Sequence, residues 1–263
     1  LAIEVMRRYE NKYMANSYTY MRLQNRISQV ADMDEYCKLH GFYTISNLYC
    51  DTDDDDLIRA SIAKPQYKEK LRLRAYGVPV DNDMVFLEIK KKYNDVTNKR
   101  RTAFALQEAY GFIATGSAEP KEYMNKQVLM ELEYFINLHK PMPKLYLAYE
   151  RRAYIGDGGL RITFDTNIRT RRHDLALENG DHGEKLLDDD LWVCEVKAIG
   201  GIPVWLTRLL SEYKLYRQGF SKYGMEYQKH IAMERGGVCS SQLSTHPAKR
   251  RQSHGKALLS RLA

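Results

Sequence analysis

From residue 70 the chain alternates. Lys70, Arg72 and Arg74 fall on one side of an extended strand, and Leu71, Leu73 and Ala75 on the other, because successive strand side chains point to opposite faces. The pattern recurs along the chain. Over residues 84–92, Phe86, Glu88, Lys90 and Lys92 oppose Val85, Leu87 and Ile89. Arg8, Glu10 and Lys12 alternate with Tyr9, Asn11 and Tyr13; Arg161, Thr163 and Asp165 with Leu160, Ile162 and Phe164; Glu195 and Lys197 with Cys194 and Val196. One such strand is ordinary, since antiparallel sheets often keep a polar outer face. Five, with cations outnumbering carboxylates, admit another reading: a closed sheet whose charged faces point inward. Crowded buried cations are costly unless an anion and bridging carboxylates answer them. A triphosphate or polyphosphate is the anion that fits.

The same periodicity predicts the remaining elements. Strands are expected over residues 5–13, 42–50, 70–76, 84–92, 145–155, 160–167 and 191–198, with 169–174 a short further strand or a rim. Two hairpins are signalled, one turning through Gly77–Asp83 and one through Gly156-Asp157-Gly158-Gly159. A helix is predicted over 17–31, with Ser17 as its N-cap and Tyr20, Leu23, Ile27 and Val30 as its apolar stripe. The acids at 53–56 read as the first turn of a short helix; a metal loop is the weaker reading, because the calcium-loop glycine and spacing are missing. Lys99-Arg100-Arg101 is taken to open a helical stretch reaching Tyr110. Pro120 precedes a helix with Met124, Leu129, Leu132, Phe135 and Ile136 on one face, and Trp205, Leu209, Tyr213 and Tyr216 mark another. Residues 178–190 read as a polar loop. The sum is an α+β domain: about eight antiparallel strands closed into a barrel, with helices outside and at its ends. Closure would remove exposed edges.

Composition alters this picture at one point. The chain of 263 residues has 41 basic and 34 acidic side chains, for a net charge of +7. Five of the bases (Lys249, Arg250, Arg251, Lys256, Arg261) lie in residues 236–263, which contain no acid. We expect a domain over 1–235 and a basic, disordered tail beyond it. Without that tail the body is nearly neutral, so its cations are placed locally on strands, and a broad nucleic-acid surface is not the leading reading. No run of about 18 apolar residues suggests a transmembrane helix, and no signal peptide is visible. Cys37, Cys50, Cys194 and Cys239 show no zinc or CxxC spacing, which points to a reduced cytoplasmic protein. The histidines form no HxH or HExxH pattern, and no serine or cysteine nucleophile motif stands out.

Nine short pieces, in order, resemble the VTC domain, the polyphosphate polymerase domain of the vacuolar transporter chaperone family, within the CYTH-like triphosphate tunnel group. They are Arg8-Tyr9-Glu10-Asn11-Lys12-Tyr13, Leu48-Tyr49-Cys50-Asp51-Thr52, Lys70-Leu71-Arg72-Leu73-Arg74, Phe86-Leu87-Glu88-Ile89-Lys90, Lys99-Arg100-Arg101, Tyr149-Glu150-Arg151-Arg152-Ala153-Tyr154, Leu160-Arg161-Ile162-Thr163-Phe164-Asp165, Cys194-Glu195-Val196-Lys197 and Phe220-Ser221-Lys222-Tyr223. The resemblance covers roughly residues 5–225. One departure is that Arg8 stands where the tunnel signature Glu-x-Glu-x-Lys has its first glutamate; this fits the polymerase branch better than the hydrolase branch.

The resemblance implies an eight-stranded basic tunnel, ATP as substrate, inorganic polyphosphate as product, and Mn²⁺ or Mg²⁺ as cofactor. Carried over by position, Arg72, Arg74 and Lys222 would act at the reacting phosphate. Lys12, Lys90, Lys99, Arg101, Arg151 and Arg161 would contact phosphates, with Lys70 and Lys197 on the same charged face. Glu195 would hold the metal. Glu10, Glu88 and Asp165 read either as counter-charges for arginines or as metal contacts. Phosphoryl transfer asks mainly for positioning and charge neutralisation, which arginine forks and lysine point charges supply. A triphosphatase and a catalytically silent polyphosphate-binding module are the alternatives; adenylate cyclase chemistry ranks below both.

Overall fold

β1 (Arg8–Asn16) runs directly into α1 (Ser17–Ile27), followed by β2 (Asp32–Met33), α2 (Glu35–His40), β3 (Tyr43–Asp51) and α3 (Asp56–Ala63). The hairpin of β4 (Tyr67–Tyr76) and β5 (Met84–Tyr93) continues into β6 (Val96–Ala105), then α4 (Leu106–Thr115) and α5 (Lys126–His139). A second long hairpin pairs β7 (Met142–Gly156) with β8 (Leu160–Arg171); β9 (Glu184–Lys185), β10 (Leu191–Ile199), α6 (Val204–Glu212) and α7 (Lys222–Glu234) follow. This computed structural model describes residues 8–94 and 96–236, without the side chains of residues 8 and 9. The expected strand start at residue 5 and all but Gly236 of the expected basic tail lie outside the described residues. Residues up to Gln228 make one unit; from Lys229 on lies a second, whose described part is the end of α7, where His230 faces Glu234 at 3.2 Å.

The eight long strands form one antiparallel sheet in the order β1-β10-β8-β7-β3-β4-β5-β6, with β2 on β7 and β9 on β8. The strand number and antiparallel pairing match the expectation, but closure does not. β1 and β6 are the sheet's edges, and no ladder joins them among the described residues. The sheet curls until Glu10 on β1 comes within 3.8 Å of Lys90 on β5. The free side of β1 is covered by another segment: the Gln218 amide donates to the Lys12 carbonyl at 2.8 Å. Covering an edge with a loop satisfies it without a closed barrel.

Both faces of the sheet are packed. On the outer face, Leu48, Leu71, Leu73, Val85, Leu87, Ile89 and Phe104 meet α4 and α5. Phe164, Cys194 and Val196, also facing out, meet α1 and α6. A third apolar cluster lies on the inner face, where Ile45, Leu145, Leu147 and Val193 pack with Ile58 of α3 and Tyr223 of α7. One part of the interior is therefore an apolar plug, and the charged residues occupy the rest. The registers set them side by side: Lys70 opposes Lys90, Arg72 opposes Glu88 and Arg74 opposes Phe86, while Glu88 opposes Arg101 and Lys90 opposes Lys99 on β6.

Four local expectations are corrected. Lys99-Arg100-Arg101 does not open a helix; it lies within β6, and α4 starts at Leu106. Pairing with β5 overrides the local pattern, and burial of Thr102 and Phe104 has the strand's period of two. The cap of α1 is Asn16, one residue before Ser17, accepting from the Thr19 amide at 2.9 Å. The acids at 53–56 contribute only Asp56 to the first turn of α3; its amides at Leu57 and Ile58 donate instead to the buried Asp51, at 2.8 and 2.9 Å. Residues 169–171 are not a separate strand but the end of β8. A further helix, α7, has no counterpart in the sequence reading. Its buried positions include Gly224 and Glu226 beside Tyr223, so no apolar stripe announces it. Glu226 is held there by both arms of Arg172, at 2.8 Å each.

Candidate functional site

Two buried carboxylates organise the inner face. Glu88 on β5 receives Arg72 Nε at 2.7 Å and Nη2 at 2.6 Å from β4, and Lys99 Nζ at 2.6 Å from β6. Asp165 on β8 receives Arg151 from β7 through two N–H bonds, at 2.7 and 2.9 Å, and Lys222 from the first turn of α7 at 2.6 Å. Each carboxylate fixes an arginine and a lysine delivered by different elements. The strand registers put Arg72 across from Glu88 and Arg151 across from Asp165. The start of α7 is anchored by Tyr223, whose hydroxyl donates to Asp51 at 3.1 Å.

Tyrosines link the two groups. Arg74 donates to Asn47 Oδ1 at 2.9 Å and to the Tyr149 hydroxyl at 3.2 Å. Tyr149 also lies under the cations of Arg151 and Lys222, 5.2 and 4.4 Å from the ring centre. Arg72 Nη1 donates to the Tyr49 hydroxyl at 3.3 Å. A third group gathers on β1, β10 and β5. Glu10 faces Lys12 at 3.5 Å and Lys90 at 3.8 Å, and Glu195 faces Lys197 at 2.6 Å. Lys12 Nζ also donates to the Phe220 carbonyl at 3.0 Å, and Lys70 Nζ to Ser221 Oγ at 3.0 Å. The segment that covers the β1 edge thus reaches into the site.

Protonation follows from this crowding. Burial raises a carboxyl's pKa, but Arg72, Arg74 and Lys99 overcome that at Glu88 and hold it well below the usual range. At Asp165, Arg151 and Lys222 likewise outweigh burial and lower it. Glu195 is held well down by Lys197, Lys12 and Arg151 against burial. Glu10 is lowered despite burial and the neighbouring Glu195, because Lys90, Lys197 and Lys12 surround it. The lysines are under the opposite pressure. Burial brings Lys70 down to about 8, with Lys90, Lys12 and Lys68 adding to the effect and Tyr49 opposing it. Burial brings Lys99 down to about 8 even beside Glu88, and lowers Lys90. Lys12 is raised, since Glu195 and Glu10 outweigh its burial. The Tyr49 phenol, which burial alone would raise, is brought to about 8 by Arg72, Lys70 and Arg74.

Nine cations (Lys12, Lys70, Arg72, Arg74, Lys90, Lys99, Arg151, Lys197 and Lys222) therefore share a curled inner face with four carboxylates (Glu10, Glu88, Asp165 and Glu195). That excess, with Lys70, Lys90 and Lys99 lowered by burial, leaves the face net positive. Two expected residues stand at the margin. Arg161 pairs with Asp34 at 3.1 Å and keeps 43% of its side chain exposed. Arg101 is exposed and lies over the Phe86 ring at 4.7 Å.

Of the expected metal contacts, Glu10 and Glu195 are diagonal neighbours on adjacent strands: Glu10 opposes Lys197, two residues from Glu195 on the same face. Glu88 is enclosed by Arg72 and Lys99. Among the described residues no three His, Cys, Asp or Glu side chains assemble into a metal group. Two carboxylates on a cation-rich face still fit Mg²⁺ or Mn²⁺, hard cations that commonly take one or two protein carboxylates and complete their shell with other oxygens and water. The sequence reading did not foresee Tyr49, Tyr149, Asn47 or Asp34 as partners. The signal for the two tyrosines is their period-two spacing, Tyr49 from Asn47 and Tyr149 from Arg151; no sequence signal marks Asp34.

A model of the VTC domain matches residues 7–231. Vacuolar transporter chaperone complex subunit 4 of Schizosaccharomyces pombe is 28% identical over 163 residues, 54% of this chain and 22% of the relative; the chain spans about a fifth of that relative's length. Among solved structures, a candidate adenylate cyclase of Bacillus halodurans is 16% identical with a TM-score of 0.49, covering 81% of this chain and 92% of that one. An adenylyl cyclase candidate of Hippeastrum, described as having a dominant triphosphatase activity, is 15% identical with a TM-score of 0.46, covering 88% and 97%. With the family model spanning most of its length, this chain belongs to the VTC domain family.

Proposed function

We propose that the chain is a phosphotransferase that moves the γ-phosphate of ATP onto a growing inorganic polyphosphate chain, within the curled inner face of its sheet. The observation that carries this reading is the set of nine cations on that face, seven of them held by Glu88, Asp165, Glu10 and Glu195, with Arg74 on Asn47 and Tyr149 and Lys70 on Ser221. Membership of the VTC domain family supports it.

In this mechanism Arg72, Arg74 and Arg151 clamp phosphate oxygens in the planar geometry that guanidinium forks impose. Glu88 orients the fork of Arg72, Asp165 that of Arg151, and Asn47 with Tyr149 that of Arg74 before substrate arrives, so no reorganisation is needed at the moment of transfer. The terminal phosphate oxygen of the growing chain, or of orthophosphate, forms a bond to the γ-phosphorus. The bond from that phosphorus to the β–γ bridging oxygen breaks, and ADP leaves with the electron pair. Lys222, held by Asp165 and the Tyr149 ring, adds positive charge beside the transferring group. Glu195 and Glu10 are the residues that would hold Mn²⁺ or Mg²⁺, which when bound would supply charge neutralisation on the phosphate oxygens. No side-chain nucleophile is required.

Incubation with ATP and Mn²⁺, followed by gel analysis for polyphosphate, tests this directly. Chain product supports it. Orthophosphate released without any chain sinks it in favour of a triphosphatase; tight polyphosphate binding with no turnover in either metal selects a binding module.

A further inference from the structure

The ends of β3, β4 and β5 that meet beside the cations carry a cluster of aromatic rings. Tyr36, on α2, lies parallel to Tyr76 with ring centres 5.6 Å apart and 8° between planes, and 5.4 Å from Tyr43. Tyr76 meets Phe86 edge-on at 6.0 Å, and the Arg101 guanidinium covers Phe86 at 4.7 Å. Tyr36 is 54% exposed and Tyr76 39%. Several rings presented together to solvent beside a functional face mark a surface meant to be covered.

The cluster is held rigidly. Asp34 caps α2 by accepting from the Cys37 amide at 3.0 Å, and its second oxygen accepts from the Tyr43 hydroxyl and from Arg161, at 3.1 Å each. The helix that presents Tyr36 is thereby tied to β3 and β8. The cluster also continues the phosphate-binding row: Tyr76 follows Arg74 by two residues on the same face of β4, a separation of about 7 Å along the strand. A ligand whose phosphates lie at Arg72 and Arg74 would carry whatever follows its α-phosphate toward these rings.

We propose that Tyr36 and Tyr76, with Phe86 and Arg101 behind them, form a stacking platform for the base of a nucleoside triphosphate; this rests on the reading of the inner face as a triphosphate cradle. Stacking on aromatic faces is tolerant of base identity, because every base has a π-face. The one hydroxyl of the cluster with a described polar partner, Tyr43, is engaged with Asp34 and Arg161. The platform therefore takes purine and pyrimidine nucleotides with little preference beyond ring size.

The test measures binding by calorimetry without metal, using adenosine 5′-(β,γ-imido)triphosphate and inorganic tripolyphosphate, on wild type and on Tyr36→Ala, Tyr76→Ala and Tyr36→Phe. Expected is a loss of about 5- to 100-fold in affinity for the adenosine ligand in the two alanine variants, the range that base stacking supplies. Tripolyphosphate affinity stays unchanged, and Tyr36→Phe behaves as wild type. Unchanged tripolyphosphate binding also certifies that the variants are folded at the site. Equal losses for both ligands, or none for the adenosine ligand, overturn the platform. So does a wild type that binds tripolyphosphate as tightly as the adenosine ligand, while leaving the cradle intact. A wild type that binds neither ligand overturns the cradle itself, and the platform with it.

Discussion

Arg151 and Asp165 face each other across the β7–β8 pair, and Arg151 donates two parallel N–H bonds to the carboxylate, at 2.7 and 2.9 Å, with that carboxylate fully buried. Lys222 completes the group at 2.6 Å. Removing one member of a buried ion pair leaves the other charge without compensation, which typically costs about 3–5 kcal/mol. Asp165→Ala is expected to destabilise the domain by about that much, measured by denaturant unfolding, because Arg151 and Lys222 both lose their anion. A change within about 0.5 kcal/mol would show that the group is relaxed by solvent.

Arg72 stands between Glu88 and Tyr49 and is one of the clamps of the proposed transfer. Losing one charge-stabilising donor usually lowers a rate by about 10²- to 10³-fold. Arg72→Ala should reduce polyphosphate formation by about that factor. Arg72→Lys should recover part of it, since charge returns but the fork does not. Equal activity in Arg72→Ala and wild type would remove Arg72 from the mechanism.

Glu195→Gln tests the metal. The variant is expected to need at least about tenfold more Mn²⁺ for the same chain formation, while tripolyphosphate binding without metal is retained or tightened, since a carboxylate next to the bound anion has been neutralised. If the Mn²⁺ requirement does not move, Glu195 is a counter-charge for Lys197 and Lys12 only.

The lysines lowered by burial give a pH signature with two opposite signs. Lys70 and Lys99, each brought down to about 8, lose charge as pH rises through that value. Metal-free tripolyphosphate affinity should therefore fall between about pH 7 and about pH 9. Empty-protein stability should move the other way. Between the folded value near 8 and an unfolded lysine's value of about 10.4, the unfolded chain binds more protons, so rising pH favours the fold. Tyr49, brought to about 8, adds the same sign. Calorimetric affinity and the denaturation midpoint of ligand-free protein, followed over this interval, check both; a flat affinity would mean these lysines do not meet the anion.

The alternation on β4 and β5 is legible because aliphatic residues alternate there with charged ones, and the two hairpin turns are legible because glycine punctuates them. A period of two alone therefore puts the cations of these strands on one shared face. Lys99 and Arg101 were placed in the wrong kind of element: a basic triplet followed by Phe104, Leu106 and Ala109 looks helical until β5 offers it a partner. Closure was unreadable, because a period of two says which face a residue takes but not how far the sheet curls. The hub role of Asp165 and the course of α7 were equally hidden. Both depend on side chains that meet only in space, Arg172 with Glu226 and Lys222 with Asp165.

Lys70 and Lys90 sit directly across from each other on paired strands, an arrangement that repels until something negative lies between them. Sulfate or phosphate buffer is thus expected to load this face. Small multivalent anions will raise its melting temperature at concentrations where chloride does nothing, and any affinity measured against them will be understated by their occupancy.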